Sequence, residues 1–246
     1  MWEFCSGVAV GLASGFAASF LEPVQRWFAR MGRTSAADAG IQMHVELDPA
    51  VIWAGMPDWI GFHYYIPELD PGEAPPENPR EWRGWASRHG GWDLGTSIAR
   101  LTLVGTAPVT VVLETPEVTV SEEPLPGGTK IFHPVGGATI SPTAFNVDLD
   151  TFSSDHPIVH ISAEGGETAR GPLSWSLQKN EVEQILIRVS SARPSLIHWE
   201  ARLPLLIDGE RRFLEINDHT APITFAGGAL FDEWNHWDGT NWVAWT

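Results

Sequence analysis

The chain has 246 residues, of which 15 are Lys or Arg and 31 are Asp or Glu, giving a formal net charge of -16. This length allows one large domain or two small ones, and a hydrophobic content of 43% is enough to build a packed core. The negative charge repels phosphate backbones and argues against a nucleic-acid partner, while the single Cys excludes an internal disulfide framework and any Cys-rich zinc site.

The first predicted element is a membrane helix at residues 4–21, a run without charged side chains that is bounded by Glu3 and Glu22. A helix of this length spans roughly 27 Å, close to the thickness of the hydrocarbon core of a bilayer. Trp2 and Trp27 flank the run, at the positions where interfacial aromatic residues belong. The run therefore predicts a single-pass membrane protein.

Basic residues occur on only one side of this run, because Arg26, Arg30 and Arg33 follow it and no Lys or Arg precedes it. The positive-inside rule then predicts that the C-terminal domain is cytoplasmic. Two alternatives stay open, a cleaved signal peptide and a helix that packs within a soluble fold. A signal peptide normally begins with a basic segment, whereas this chain has Glu3 there.

Three glycines, Gly7, Gly11 and Gly15, recur every four residues within the run and would line one face of the helix. Small residues at this spacing allow two membrane helices to approach closely. The pattern predicts helix association, and with it a homo-oligomer or a protein partner. Glycine is also common in membrane helices that do not associate.

Composition changes near residue 33 and divides the chain into three parts. Residues 1–33 form the membrane helix and a basic juxtamembrane segment, 34–40 form a linker, and 41–246 form the folded domain, with a division near residue 174 as an alternative. Removing the three Arg and two Glu of residues 1–33 leaves 12 basic and 29 acidic residues, a net charge of -17. The acidity therefore belongs to the domain, which should avoid anionic lipid surfaces.

Short apolar or alternating segments, separated by Pro and Gly, predict strands along this domain. The predicted strands lie at 41–47, 61–66, 98–104, 109–113, 117–121, 145–149, 158–161, 185–189, 196–207, 212–216 and 223–225. Pro204 interrupts the longest of them and predicts a bend or two strands there. The pattern predicts a mainly β domain, an antiparallel β-sandwich of the Ig or jelly-roll kind, preceded by one N-terminal hydrophobic helix.

Two segments depart from the strand pattern. Residues 67–79, which we call the acidic loop, are rich in Pro and acidic residues and lack periodicity. A loop of this length is either functional or simply exposed. Residues 79–89, PREWRGWASRH, favour one short helix.

The residues from Trp82 to Val120, WRGWASRHGGWDLGTSIARLTLVGTAPVTVVLETPEVTV, place a Trp-containing helix before a Gly pair, an Asp and a strand hairpin. Together with AFNVDLD at 144–150, this segment resembles a group of uncharacterised, single-pass membrane-anchored, β-rich proteins of high-GC bacteria. The resemblance covers roughly a third of the chain. It implies an anchor followed by a β-domain, and it carries over no activity and no catalytic residue.

No motif in the sequence predicts a metal site, a cofactor or a catalytic residue. His156 and His160 are four residues apart, which on an extended strand separates them by about 13 Å, too far to share one ion. The order of the acidic residues does not match an EF-hand loop. The candidates for a pair of glycosidase carboxylates are Glu114, Glu117, Asp148 and Glu200. We expect no metal and no cofactor, and we interpret the chain as non-catalytic while leaving an enzymatic role open.

Tryptophan is abundant, with 13 residues, and four of them crowd into the tail FDEWNHWDGTNWVAWT. Because an exposed indole forfeits apolar burial, the tail is expected to dock on the β-domain and close an edge or a core. The alternative is a binding platform, whose candidate residues are Trp234, Trp237, Trp242 and Trp245, with Asn235 and Asp238 as polar contacts.

These observations predict a membrane-anchored protein that presents an acidic β-domain for non-catalytic binding or scaffolding. One alternative is an exported carbohydrate-binding or carbohydrate-active β-sandwich, which requires a cleft with open indole faces. The other is a soluble enzyme of unknown class.

Overall fold

The computed structural model describes residues 40–53, 62–78, 81–133, 143–151, 158–162, 168–169, 173–218, 221–228 and 234–245. The predicted membrane helix at 4–21, with Gly7, Gly11 and Gly15, lies outside these ranges. Within them no helix has the length and apolar character needed to cross a bilayer. The described part of the chain is mainly β, as the sequence predicts.

Two short helices accompany the strands, α1 (Pro49–Ile52) and α2 (Trp82–Arg88). In chain order the strands are β1 (Ile41–Glu46), β2 (Phe62–Ile66), β3 (Trp92–Asp93), β4 (Thr96–Gly105), β5 (Val109–Leu113), β6 (Glu117–Pro124), β7 (Thr129–His133), β8 (Ala144–Asp148), β9 (Ile158–Ser162), β10 (Thr168–Ala169), β11 (Leu173–Leu177), β12 (Val182–Ser190), β13 (Ser195–Ile207), β14 (Glu210–Ile216), β15 (Ile223–Ala226), β16 (Trp234–Trp237) and β17 (Trp242–Trp245). The short helix predicted within 79–89 is confirmed as α2.

The first sheet has the order β1-β4-β12-β8-β9-β10. Its pairs are antiparallel, as predicted, with the exception of β12 and β8, which run parallel. Parallel neighbours cannot be joined by a tight hairpin and need a crossover connection. The chain between β8 and β12 supplies that connection and includes β9, β10 and β11. The prediction of an entirely antiparallel domain is therefore wrong at this pair, and also at β16 and β7, which run parallel.

The second sheet is organised around β13, the longest strand. Strands β6 and β5 pair in turn with one side of β13, while β15 and β14 pair with the other, and β11 pairs with β5. The residues after Ser174 therefore complete both sheets, because β11 pairs with β5 and β12 pairs with β4.

Pro204 lies inside β13 without ending the strand. On one side of β13, pairing with β6 stops at Arg202 and pairing with β5 begins at Leu205, so Pro204 falls between the two ladders. Its carbonyl accepts a 3.0 Å hydrogen bond from the N–H of Glu114 on that same side. A missing N–H at this position breaks no rung of the sheet, which is why a strand tolerates Pro here.

The two sheets share one hydrophobic core, which is the arrangement of a β-sandwich. Trp199, Phe145 and Phe225 are its largest members, and each is fully buried. Burying a side chain of this kind stabilises the fold by about 1.5–3 kcal/mol. These residues come from β13, β8 and β15, so the core ties both sheets together.

A third sheet, which the sequence did not predict, has the order β17-β16-β7-β2-β3. Helix α2 covers one of its faces, because Trp82, Trp85 and Ala86 lie at i, i+3 and i+4 and are all buried. They pack with Tyr64 and Ile131 of the sheet in a hydrophobic cluster that is separate from the sandwich core.

Candidate functional site

Strands β16 and β17 form a tight hairpin, which we call the tail hairpin. The Oδ1 atom of Asp238 accepts hydrogen bonds from the backbone N–H groups of Thr240 and Asn241, each at 2.8 Å. Gly239 has φ 101°, a conformation that L side chains rarely adopt. The bonds from Asn241 and Thr240 lower the pKa of the Asp238 carboxyl. Asp238, a predicted binding contact, thus shapes the turn.

The hairpin register distributes the predicted binding residues over two faces. Trp237 lies opposite Trp242, and Trp234 lies opposite Trp245. Directly opposed residues share a face, and successive residues of a strand alternate between faces. Trp234 therefore lies on the face opposite to Trp237 and Trp242, and the four tail positions do not form one platform. The side chain of Trp245 lies outside the described part of the chain.

One face of the hairpin joins α2 in an indole cluster of Trp82, Trp85, Trp237 and Trp242. The rings of Trp85 and Trp242 are stacked, with centroids 6.0 Å apart and an angle of 15° between their planes. Trp82 and Trp237 meet Trp242 edge-on at 6.1 Å and 5.4 Å. Such aromatic pairs contribute about 0.5–1.5 kcal/mol each beyond burial. The tail is thus docked through its indoles, as one of the two interpretations expected.

The indole cluster holds the acidic loop in place. Trp242 Nε1 donates to the backbone carbonyl of Glu73 at 2.9 Å, and Trp82 Nε1 donates to the carbonyl of Pro76 at 2.8 Å. Trp85 Nε1 donates to the Oε1 atom of Glu73 at 3.1 Å. Three indole N–H groups therefore fix a loop that the sequence left open as either functional or simply exposed.

His89, just after α2, completes the attachment of the acidic loop. Its Nε2 lies 3.0 Å from Oε2 of Glu73, and its Nδ1 lies 2.9 Å from the backbone carbonyl of Trp85. Both partners are acceptors, so the ring makes both hydrogen bonds only when both of its nitrogens carry hydrogen. Glu73 is consequently the residue on which the helix, the loop and the tail converge.

The other face of the third sheet carries a second aromatic group. His63 stacks on Phe132 with centroids 4.5 Å apart, and Trp234 meets Phe132 edge-on at 3.9 Å. Burial lowers the pKa of His63 to about 4, so its ring is neutral at pH 7. Trp234 therefore belongs to the packing of this face. Asn235 makes a contact within the third sheet, because its Nδ2 donates to the backbone carbonyl of Lys130 at 3.3 Å.

The third sheet is attached to the sandwich at β3 and β15. Tyr65, Leu94 and Ala226 pack in a small buried cluster, and Gly95 N–H donates to the carbonyl of Ala226 at 2.7 Å. The tail hairpin lies at the opposite edge of the sheet, since the strand order runs from β17 to β3. It is therefore the part of the sheet farthest from this attachment.

Asp93 in β3 is a nearly buried carboxyl that no sequence motif marks as a site residue. It lies directly opposite Tyr64 of β2 in the antiparallel pairing. The Nε atom of Arg83 in α2 lies 3.7 Å from its Oδ2 atom. Burial raises the pKa of Asp93 to about 6, with Arg83 opposing the shift and Asp48 adding to it. The only signal in the sequence is an Asp between Trp92 and Leu94, and local sequence does not reveal burial.

The four candidate glycosidase carboxylates are spread over both sheets. Glu114 pairs with Arg211 at 2.7 Å, and the Oδ1 atom of Asp148 accepts the backbone N–H of Asp150. Glu117 and Glu200 are diagonal neighbours across β6 and β13, and both are exposed. They lie on an open sheet surface, whereas a glycosidase holds its pair around an enclosed sugar.

Metal ligands were not predicted from the sequence. Among the described side chains, no three His, Cys, Asp or Glu residues are placed to hold one ion. His156 and the side chain of His160 lie outside that part. The expectations that the chain uses no metal and no cofactor stay predictions.

Comparisons of the chain with models of protein families, with curated proteins and with solved structures found no match. The resemblance to membrane-anchored β-rich proteins of high-GC bacteria therefore stays a prediction.

Proposed function

We propose that this chain is a membrane-anchored protein that presents an acidic, mainly β domain and acts by non-catalytic binding or scaffolding through the tail hairpin. The observation that carries the proposal is the position of the predicted binding residues. The positions concerned, Trp234, Asn235, Trp237, Asp238, Trp242 and Trp245, belong to one hairpin and its turn at an outer edge of the third sheet. The hairpin lies apart from the sandwich core, so it can meet a partner without disturbing the fold.

The packing of the indoles favours recognition by the backbone of the hairpin over recognition by indole faces. The rings of Trp82, Trp85 and Trp242 contact one another, and their N–H groups bond to the acidic loop. A sugar ring stacks on an open indole face and needs polar groups that are free to bond with it. The geometry thus gives less support to an exported carbohydrate-binding protein than to a scaffold.

The anchor in this proposal is the uncharged run at residues 4–21, with the C-terminal domain in the cytoplasm and with Gly7, Gly11 and Gly15 as a face for helix association. The support is the sequence: interfacial Trp residues flank the run, and basic residues follow it. The proposal also includes the finer fold class, an Ig-like or jelly-roll sandwich preceded by this helix.

Alkaline carbonate extraction of membranes from cells that express the full chain tests the anchor. We expect the wild type to stay in the membrane pellet and Leu12→Arg, at the centre of the run, to move to the soluble fraction. A central Arg disfavours insertion by about 2.5–3.5 kcal/mol. Leu12→Ala is the matched control and should stay in the pellet. A wild-type chain that is soluble without detergent would overturn the anchor.

A C-terminal reporter tests the orientation in the same cells. Fusions to a reporter active only in the cytoplasm should give signal, and fusions to one active only outside it should not. The opposite pattern would contradict the cytoplasmic placement and favour an exported domain.

A further inference from the structure

Strand β17 is the outermost strand of the third sheet, and within the described residues it pairs only with β16. Its four residues, WVAW, carry no charge. Val243 is 38% exposed, one of four large hydrophobic side chains with such exposure in the described part of the chain. Edge strands usually carry a charge, a Pro or a bulge that prevents pairing with another chain. β17 has no charged residue and no Pro, so its sequence permits that pairing.

The hairpin register shows which backbone groups of β17 point outward. Asp238 N–H donates to the carbonyl of Asn241 at 3.1 Å, so these two residues form a hydrogen-bonded pair. Such pairs alternate along an antiparallel ladder. Val243 consequently bonds inward to β16, whereas the N–H and C=O groups of Trp242 and Ala244 point away from it. Asn235, opposite Ala244, turns its groups to β7 in agreement with this pattern.

The outward groups are self-complementary. If two copies of β17 align antiparallel about a two-fold axis at Val243, Trp242 of each copy lies opposite Ala244 of the other. Both pairs are of the hydrogen-bonded kind and together form four backbone hydrogen bonds. The large Trp242 then faces the small Ala244, and the two exposed Val243 side chains cover each other in a closely spaced pair.

Electrostatics also favour this edge for self-association. Each chain has a net charge of -16, so two copies repel each other over most of their surfaces. The β17 strand is uncharged, and the carboxylate of Glu73, whose backbone bonds to Trp242, is itself bonded to Trp85 and His89. Because salt screens the repulsion between exposed charges, association should strengthen as ionic strength rises.

We propose that β17 is a homodimerisation edge, at which two copies of this chain join their third sheets into one continuous ten-stranded sheet. The proposal rests on the proposed function in assigning binding to the tail hairpin, and it names the partner as a second copy. It does not depend on the anchor at residues 4–21, and the glycines of that run offer a separate route to association that the experiment must distinguish.

The test is the molar mass of the full chain in mild detergent, measured by sedimentation equilibrium over a range of concentrations. Ala244→Pro removes an outward N–H and leaves the inward ladder intact, because edge strands accept Pro where the N–H faces outward. The substitution removes two of the four backbone hydrogen bonds of the dimer. We therefore expect the dissociation constant of the dimer to rise by at least about tenfold. Ala244→Ser keeps the N–H and should remain dimeric.

The near-ultraviolet circular dichroism of the indoles shows whether each variant keeps the hairpin. Should Ala244→Pro lose that signal, Val243→Lys takes its place, since it puts two like charges opposite each other without altering the backbone. A dimer lost in a variant with an intact indole signal supports the proposal. A wild type that is monomeric at all concentrations overturns it, as does a dimer that survives the β17 substitution in the Gly11→Ile background with its signal intact.

Gly11→Ile separates the two routes to association. We expect this variant to keep the dimer made by β17. A dimer that Gly11→Ile abolishes and Ala244→Pro leaves unchanged would overturn the edge and assign association to the helix. Membrane extraction of the same variants reports on the anchor independently, so failure of one proposal is distinguishable from failure of the other.

Discussion

The indole N–H of Trp242 donates a 2.9 Å hydrogen bond to the backbone carbonyl of Glu73, a residue 169 positions earlier in the chain. This contact joins the tail hairpin to the acidic loop. The loop is in turn bonded to α2 through Trp85 and His89. The acidic loop and its neighbour α2 are therefore held together with the distant tail hairpin around one glutamate.

Trp242→Phe should destabilise the domain by about 0.5–1.5 kcal/mol, because it removes this hydrogen bond and keeps an aromatic ring in the cluster. Urea unfolding of the full chain, followed by far-ultraviolet circular dichroism, measures the change. Trp237→Phe is the matched control, since it also replaces a tail indole within the cluster. Equal losses in the two variants would contradict a specific role for the Trp242 N–H.

Glu73→Gln should loosen the acidic loop without unfolding the sandwich. The substitution removes the charged partner of His89, and one amide atom becomes a donor that faces the ring. A loss of about 1 kcal/mol in local stability would speed amide hydrogen exchange in the loop roughly fivefold. Glu77→Gln, an exposed acid in the same loop, should leave exchange unchanged. Similar exchange in both variants would show that Glu73 does not hold the loop.

Asp93 predicts a particular dependence of stability on pH. Burial raises its pKa to about 6 in the folded domain, from 3.8 when unperturbed. The folded state therefore binds the proton more tightly, and the stability that this adds is lost as pH rises from about 4 to about 6, by up to about 3 kcal/mol. Asp93→Asn removes this dependence. The unfolding free energy of the wild type minus that of the variant, measured from pH 4 to 7, should fall as pH rises from about 4 to about 6. A difference that does not change with pH would contradict the raised pKa of Asp93.

His63 predicts the opposite slope. Burial lowers its pKa from 6.5 to about 4, so the unfolded chain takes up a proton before the folded one does. Stability due to the neutral ring is complete above about pH 6.5 and is lost as pH falls towards 4. His63→Phe keeps the stacking on Phe132 and cannot titrate. The unfolding free energy of this variant relative to that of the wild type should therefore rise steadily as pH falls from about 6.5 to about 4. A relative stability that stays constant over this interval would contradict the burial of His63.

Local sequence pattern was sufficient to predict most of the sandwich. Mostly apolar or alternating runs predicted β4, β5 and β13, because those strands have one or both faces in a common core. Pro204 was wrongly predicted to bend or divide the strand. β13 changes partners from β6 to β5 around Pro204, and at that point no backbone N–H is needed for pairing. The parallel pair of β8 and β12 could not be predicted, because register between distant strands leaves no local pattern.

The third sheet and the candidate site depended on contacts between distant segments. Strand β7 pairs with β2 and β16, which lie far from it in the chain. The Trp-rich tail did predict docking, since indoles are costly to expose, but not the division of Trp234 and Trp237 between two faces. Asp93 was missed because its burial and its contact with Arg83 of α2 exist only in the folded domain.

The most direct test of the tail hairpin as the binding element is amide hydrogen exchange of the wild-type chain, resolved to single residues of β17, as protein concentration increases. Paired edges should slow the exchange of Trp242 and Ala244 as concentration rises, while Val243, bonded inward to β16, stays protected throughout. Rapid exchange of the Ala244 amide at all concentrations would contradict a homodimerisation edge at β17.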